Sequence, residues 1–141
     1  MSLSNVWLQT AADGLVRADQ VTGIEAHQTP ALTGEPSRWL LDVVLPVGIG
    51  SGIREGGGVS VLHRTLIQTS HDPGPAATAL ARLLAQLDLV SATGVITTSR
   101  ADTRATAPRT DQLVEASGPI RFRFIPFPGP DPGRHTGAEY L

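Results

Sequence analysis

Hydrophobic and polar positions alternate over several short segments of the chain, the pattern of half-exposed β-strands. The first two segments, residues 6–10 and 15–17, flank Asp13 and Gly14, a dipeptide that favours a tight hairpin turn. Three further strands are predicted over residues 21–27, 38–45 and 59–69. Pro46 is expected to end the strand 38–45, because proline has no N–H to donate to a neighbouring strand.

One segment instead has the spacing of an amphipathic helix. Leu80, Leu83, Leu84 and Leu87 recur at positions i, i+3, i+4 and i+7, which places them on one helix face. Asp72-Pro73 precedes them, and an N-cap aspartate followed by proline is a typical helix start. The pattern predicts a helix over residues 73–89 that packs on the sheet.

The C-terminal third alternates again after a segment without periodicity. Residues 95–98 predict a strand, and residues 110–116 are expected to form one helical turn. Residues 120–124 alternate apolar with cationic side chains, so one strand face is apolar and the other is basic. Four prolines between positions 126 and 132 then predict an extended arm.

These elements predict the α+β class: an antiparallel meander of about five or six strands, with one amphipathic helix on a face and a Pro-rich C-terminal arm. We expect one domain over residues 1–125 and the arm over residues 126–141. A chain of 141 residues with 40% hydrophobic content is long enough to bury a single core.

Composition excludes several classes of chemistry. The chain has no cysteine, which removes thiolate catalysis, disulfides and Cys-type zinc sites. It also has no lysine, and therefore no Schiff base and no P-loop lysine. The net charge of −2 argues against nucleic acid as a partner, and no apolar stretch is long enough to span a membrane. We expect a cytoplasmic protein without a cofactor, and the use of arginine in place of lysine is typical of a GC-rich bacterial genome.

Two groups of residues are candidates for chemistry. The glycine-rich segment 48–58 is interpreted as a hairpin connection, because phosphate-binding loops join a strand to a helix. The four histidines, His27, His63, His71 and His135, lack the spacing of metal ligands, so we expect no metal site. No catalytic residue is assigned.

The functional expectation is a non-catalytic interaction or assembly module that self-associates as a homo-oligomer or binds a protein partner. The alternative is a small hydrolase, isomerase or small-ligand-binding protein that uses His63 or His71. The predicted interaction residues lie on the last strand and at the start of the arm: Ile120, Arg121, Phe122, Arg123, Phe124 and Phe127.

Overall fold

A computed structural model describes residues 1–12, 14–47, 60–100 and 113–129. These residues form strands, one α-helix and a short 3-10 turn at Ala18–Gln20, which confirms the α+β class. The elements are β1 (Val6–Gln9), β2 (Leu15–Arg17), β3 (Gly23–Gln28), β4 (Trp39–Val47), β5 (Ser60–Thr69), α1 (Ala76–Leu89), β6 (Gly94–Arg100), β7 (Leu113–Ser117) and β8 (Ile120–Pro126).

The eight strands form two sheets, whereas the sequence predicts a single meander of five or six. Sheet A has the order β2-β1-β6-β8-β7, and sheet B is the meander β3-β4-β5. All neighbouring strands are antiparallel except β1 and β6, which are parallel. Parallel strands need a crossover connection between them. Here α1 follows β5 and carries the chain back from sheet B to sheet A, where β6 pairs with β1.

The helix ends at Leu89 as predicted, but it begins at Ala76 rather than at Pro73. Asp72 Oδ1 accepts the Gly74 N–H at 2.8 Å, so this carboxylate stabilises the turn before the helix and not the helix itself. Gly74 has φ +65°, a left-handed conformation that interrupts any helix starting at Pro73.

One core joins the helix to both sheets. We call the sheet faces that pack against α1 the inner faces and the opposite faces the outer faces. The predicted burial of Leu80, Leu83, Leu84 and Leu87 is confirmed, since all four are at most 9% exposed. The inner faces add nine further buried apolar side chains: Val6, Leu8, Ile96, Ile120, Phe122 and Phe124 from sheet A, and Leu41, Val43 and Leu66 from sheet B.

Two local predictions differ from the structure. β4 continues through Pro46 to Val47. The neighbouring strand β3 starts at Gly23, opposite Val44, so no β3 residue lies beside Pro46 and the missing proline N–H breaks no hydrogen bond. The helical turn expected at residues 110–116 falls partly outside the described residues, and Leu113–Ser117 is a strand paired with β8. Gly118, with φ +57°, provides the tight turn between these two strands.

The glycine-rich segment 48–58 and most of the expected arm lie outside the described residues. The strands that the glycine-rich segment joins, β4 and β5, are antiparallel neighbours. This pairing is the one that a hairpin connection requires.

Candidate functional site

The six predicted interaction residues divide between the core and the surface. Ile120 and Phe122 are fully buried and Phe124 is 5% exposed, so these three pack against the rest of the chain. Arg121 and Arg123 lie on the outer face of sheet A, and Phe127 is 46% exposed just beyond β8. A partner can therefore reach the arginines and Phe127, and the interaction role of all six stays a prediction.

Each of the two arginines of β8 has an N–H donor without a hydrogen-bond partner among the described residues. Arg121 lies opposite Ser99 and Arg123 opposite Thr97, so these four side chains share the outer face. The Nε atoms of both arginines are buried and make no hydrogen bond within the described residues.

Arg17, on the same outer face, is bonded instead. Its Nε donates to Asp19 Oδ1 at 2.6 Å. This hydrogen bond is the largest cause of the lowered pKa of the Asp19 carboxyl. Desolvation opposes it, and Gln20 and the charge of Arg17 each lower the pKa by a smaller amount. Arg17 is thus a matched reference for the two arginines of β8.

The free edge of sheet B is the second exposed feature. β3 is the outermost strand, and the Thr29 N–H donates to the Arg38 carbonyl at 2.7 Å. Because backbone groups alternate in direction along a strand, the odd-numbered residues of β3 bond to β4. The N–H and C=O groups of Ile24, Ala26 and Gln28 therefore point away from the sheet, and no described backbone hydrogen bond reaches them.

A shallow apolar groove of about 450 Å³ runs beside this edge, between β3 and α1. Its apolar lining residues are Val21, Ile24, Ala77, Ala81 and Leu84. An edge with free backbone groups beside an apolar groove is the arrangement that accepts an additional β-strand.

A bonded polar cluster occupies the outer face of sheet B. The side chain of Asp42, which is 3% exposed, contacts His27 Nε2 through Oδ2 at 2.8 Å. Its other oxygen, Oδ1, accepts the Thr65 hydroxyl at 2.7 Å. Because a carboxylate oxygen accepts hydrogen bonds, Nε2 of His27 is the donor in this contact.

Two of the four histidines converge at this cluster. His63 Nε2 lies 3.6 Å from Glu25 Oε1, and the rings of His27 and His63 are 6.4 Å apart. Sequence reasoning missed this contact. The signal that could have found it is Asp42, a single carboxylate inside the apolar run of β4, which needs polar partners from the neighbouring strands.

His71 does not belong to this cluster. His71 is exposed and its Nδ1 contacts only the Ser70 hydroxyl, at 3.1 Å, among the described hydrogen bonds. His135 lies outside the described residues. Within the part of the chain that the structure describes, no three His, Asp or Glu side chains are placed to hold a metal ion.

The chain has no match among protein-family models, curated proteins or solved structures. No helix of the described residues is long and apolar enough to cross a membrane.

Proposed function

We propose that this protein is a non-catalytic assembly module of the bacterial cytoplasm that self-associates through β3. In this proposal the β3 strand of one copy pairs antiparallel with the β3 strand of a second copy. The observation that carries the proposal is the free edge of β3, where Ile24, Ala26 and Gln28 direct their backbone groups away from the sheet. Unpaired edges of this kind are sites of strand addition.

The sequence of β3 favours one pairing, with the two-fold axis at Ala26. In that register Ala26 pairs with itself and Ile24 pairs with Gln28 of the partner subunit, so the outward backbone groups bond to one another. Glu25 then lies opposite His27 of the partner subunit, with Cα atoms about 4.5 Å apart. A carboxylate opposite an imidazole ring is a favourable polar pair across two strands, and the two-fold axis repeats the contact.

Neighbouring registers lack this complementarity. An axis at Ile24 places Glu25 opposite Gly23, and an axis at Gln28 places His27 opposite Thr29. Neither pairing places a carboxylate opposite a histidine on the outer face. The Ala26 register is therefore the one that the side chains of β3 select.

The apolar groove also supports a second copy as the occupant. The partner's β3 would lie about 4.8 Å from β3, on the side where the groove adjoins α1. It would cover the groove residues Ile24 and Ala81, which a single copy leaves partly in solvent. The two copies of sheet B would then form one continuous sheet of six strands.

The alternative of a hydrolase, isomerase or ligand-binding protein receives less support. His63 is close to Glu25, but none of the described clefts is lined by His63. His71 borders a cleft of about 150 Å³, in which no lining residue is a carboxylate. In triad-type hydrolases a carboxylate orients the catalytic histidine, and none of the described residues provides one in this cleft.

The test is the solution mass of Ala26→Pro, measured by sedimentation. Proline removes an N–H that the β3–β4 ladder does not use, so it blocks the edge and leaves the sheet bonded. We expect the wild type to sediment as a dimer at about 100 μM and the proline variant as a monomer with unchanged far-ultraviolet circular dichroism. Ala26→Ser keeps the N–H and should keep the dimer.

Two further variants keep the proposal falsifiable if Ala26→Pro fails to fold. Glu25→Arg, at a side chain that is 51% exposed, removes the carboxylate opposite His27 of the partner subunit and should lower the oligomeric mass. Deleting residues 130–141 should leave the number of subunits unchanged. A monomeric wild type would overturn pairing through β3. An oligomeric mass that falls on this deletion but not in Glu25→Arg and Ala26→Pro would also overturn it, and would assign the contact to the C-terminal arm.

A further inference from the structure

The outer face of sheet A carries a concentration of hydrogen-bond donors on the neighbouring strands β6 and β8. β8 lies between β6 and β7, and its Arg121 and Arg123 are two residues apart on one face, at about 7 Å. Ser99 and Thr97 of β6 stand directly opposite them. The four side chains provide two guanidinium groups and two hydroxyls within one small area.

These donors have no acceptor within the described residues. The Nε atoms of both arginines are inaccessible to solvent and make no hydrogen bond there, and neither arginine forms an ion pair there. Buried donors are rarely left without a partner in folded proteins, and an exception points to a missing ion, water or ligand. Two adjacent cations also repel each other unless an anion lies between them.

From these observations we infer that Arg121 and Arg123, with Ser99 and Thr97, form a binding site for an oxyanion with several oxygen atoms, such as a phosphate or a polycarboxylate. Guanidinium groups donate two parallel hydrogen bonds to such anions, and hydroxyls add single ones. Both inferred ligand types present the same chemistry to the site, namely several negatively charged oxygens. This site is separate from the β3 edge and does not depend on self-association.

The outer face beside the Thr97–Arg123 pair is apolar, which favours a ligand with an apolar portion. Val95 is paired with Ile125 on one side and with Trp7 on the other, two residues along the strand from the Thr97–Arg123 pair. Trp7 and Val95 are half-buried and Ile125 is 40% exposed. A ligand whose anionic group binds the arginines can therefore place an apolar portion against this end of the face.

The test is a titration with inorganic phosphate at constant ionic strength, followed through the arginine Nε–Hε signals in nuclear magnetic resonance spectra. We expect the signals of Arg121 and Arg123 to shift and saturate, with half-saturation at about 1 mM or below. The Arg17 signal should stay unchanged, because its Nε already donates to Asp19. A parallel titration with citrate separates a phosphate ligand from a carboxylate ligand.

The double variant Arg121→Gln with Arg123→Gln should abolish the saturable shifts of neighbouring backbone signals, while Arg17→Gln should retain them. Saturable binding of either anion that the double variant loses supports the site. Shifts that rise without saturation, that sodium chloride alone reproduces, or that persist in the double variant would overturn it.

Discussion

The outer faces of the two sheets differ in whether their buried charged groups are hydrogen-bonded within the chain. On sheet B, the buried Asp42 carboxylate is bonded to His27 on one side and to Thr65 on the other. On sheet A, Arg121 and Arg123 keep buried Nε donors that have no acceptor among the described residues. The buried charge of the first face is hydrogen-bonded by other residues of the chain, whereas the arginine donors of the second face are available to a ligand.

This difference separates a stabilising polar cluster from a candidate binding site. A buried charge whose hydrogen bonds are all made fixes the pairing of the strands that carry it. A buried donor without a partner destabilises the fold, and a protein retains such a group where binding requires it. Polar residues alone therefore do not mark a site, and the accounting of their hydrogen bonds is more informative.

The largest expected effect contrasts the two sides of β8 itself. Phe122→Ala removes a fully buried ring from the core and should lower the free energy of unfolding by about 3–5 kcal/mol. Arg121→Ala, at the preceding position but on the outer face, should cost less than about 1 kcal/mol. Urea unfolding of both variants measures the contrast, and equal losses would mean that Arg121 has a structural partner.

The polar cluster of sheet B provides the intermediate effect. Thr65→Val keeps the shape of the side chain but removes its hydrogen bond to the buried Asp42 carboxylate, so it should destabilise by about 1–3 kcal/mol. Thr22→Val is the control, because Thr22 is exposed and bonds only to a backbone carbonyl at 3.2 Å. If the two variants lose equal stability, the cluster does not stabilise the sheet.

The smallest effect, and the one of opposite sign, belongs to Arg123→Met. Methionine retains the apolar stem and removes a buried donor that has no described acceptor, so stability should stay unchanged or rise by up to about 1 kcal/mol. Phosphate binding should be lost in the same variant. Thermal unfolding with and without phosphate measures both, and a clear loss of stability without phosphate would show that Arg123 has a partner within the chain.

The elements with a strong local period were predictable from the sequence. The leucines of α1 and the alternating residues of β8 each follow one period without interruption, so their buried faces could be read directly. The start of α1 was less predictable, because an aspartate-proline pair is compatible with a helix cap and with a turn. The left-handed conformation of Gly74 decides between them.

The candidate sites depend on how strands pair, which local patterns do not determine. The register between β4 and β5 shifts next to Leu41 and Asp42, and this irregularity allows both Leu41 and Leu66 to be buried while Asp42 faces Thr65. His27 meets Asp42 only because β3 and β4 are antiparallel neighbours. The free edge of β3 likewise follows from the separation into two sheets, which a single meander would not produce.

Disulfide formation by Ala26→Cys tests the central claim, pairing through β3, most directly. The native chain has no cysteine, so the introduced thiol can bridge only to its copy in a second subunit. In the proposed register the two Cα atoms at position 26 are about 5.5 Å apart, within the range that a disulfide spans. Ala85→Cys, on the exposed face of α1, is the control. We predict that mild oxidation converts Ala26→Cys into a covalent dimer much faster than Ala85→Cys; equal rates for the two variants would contradict the account.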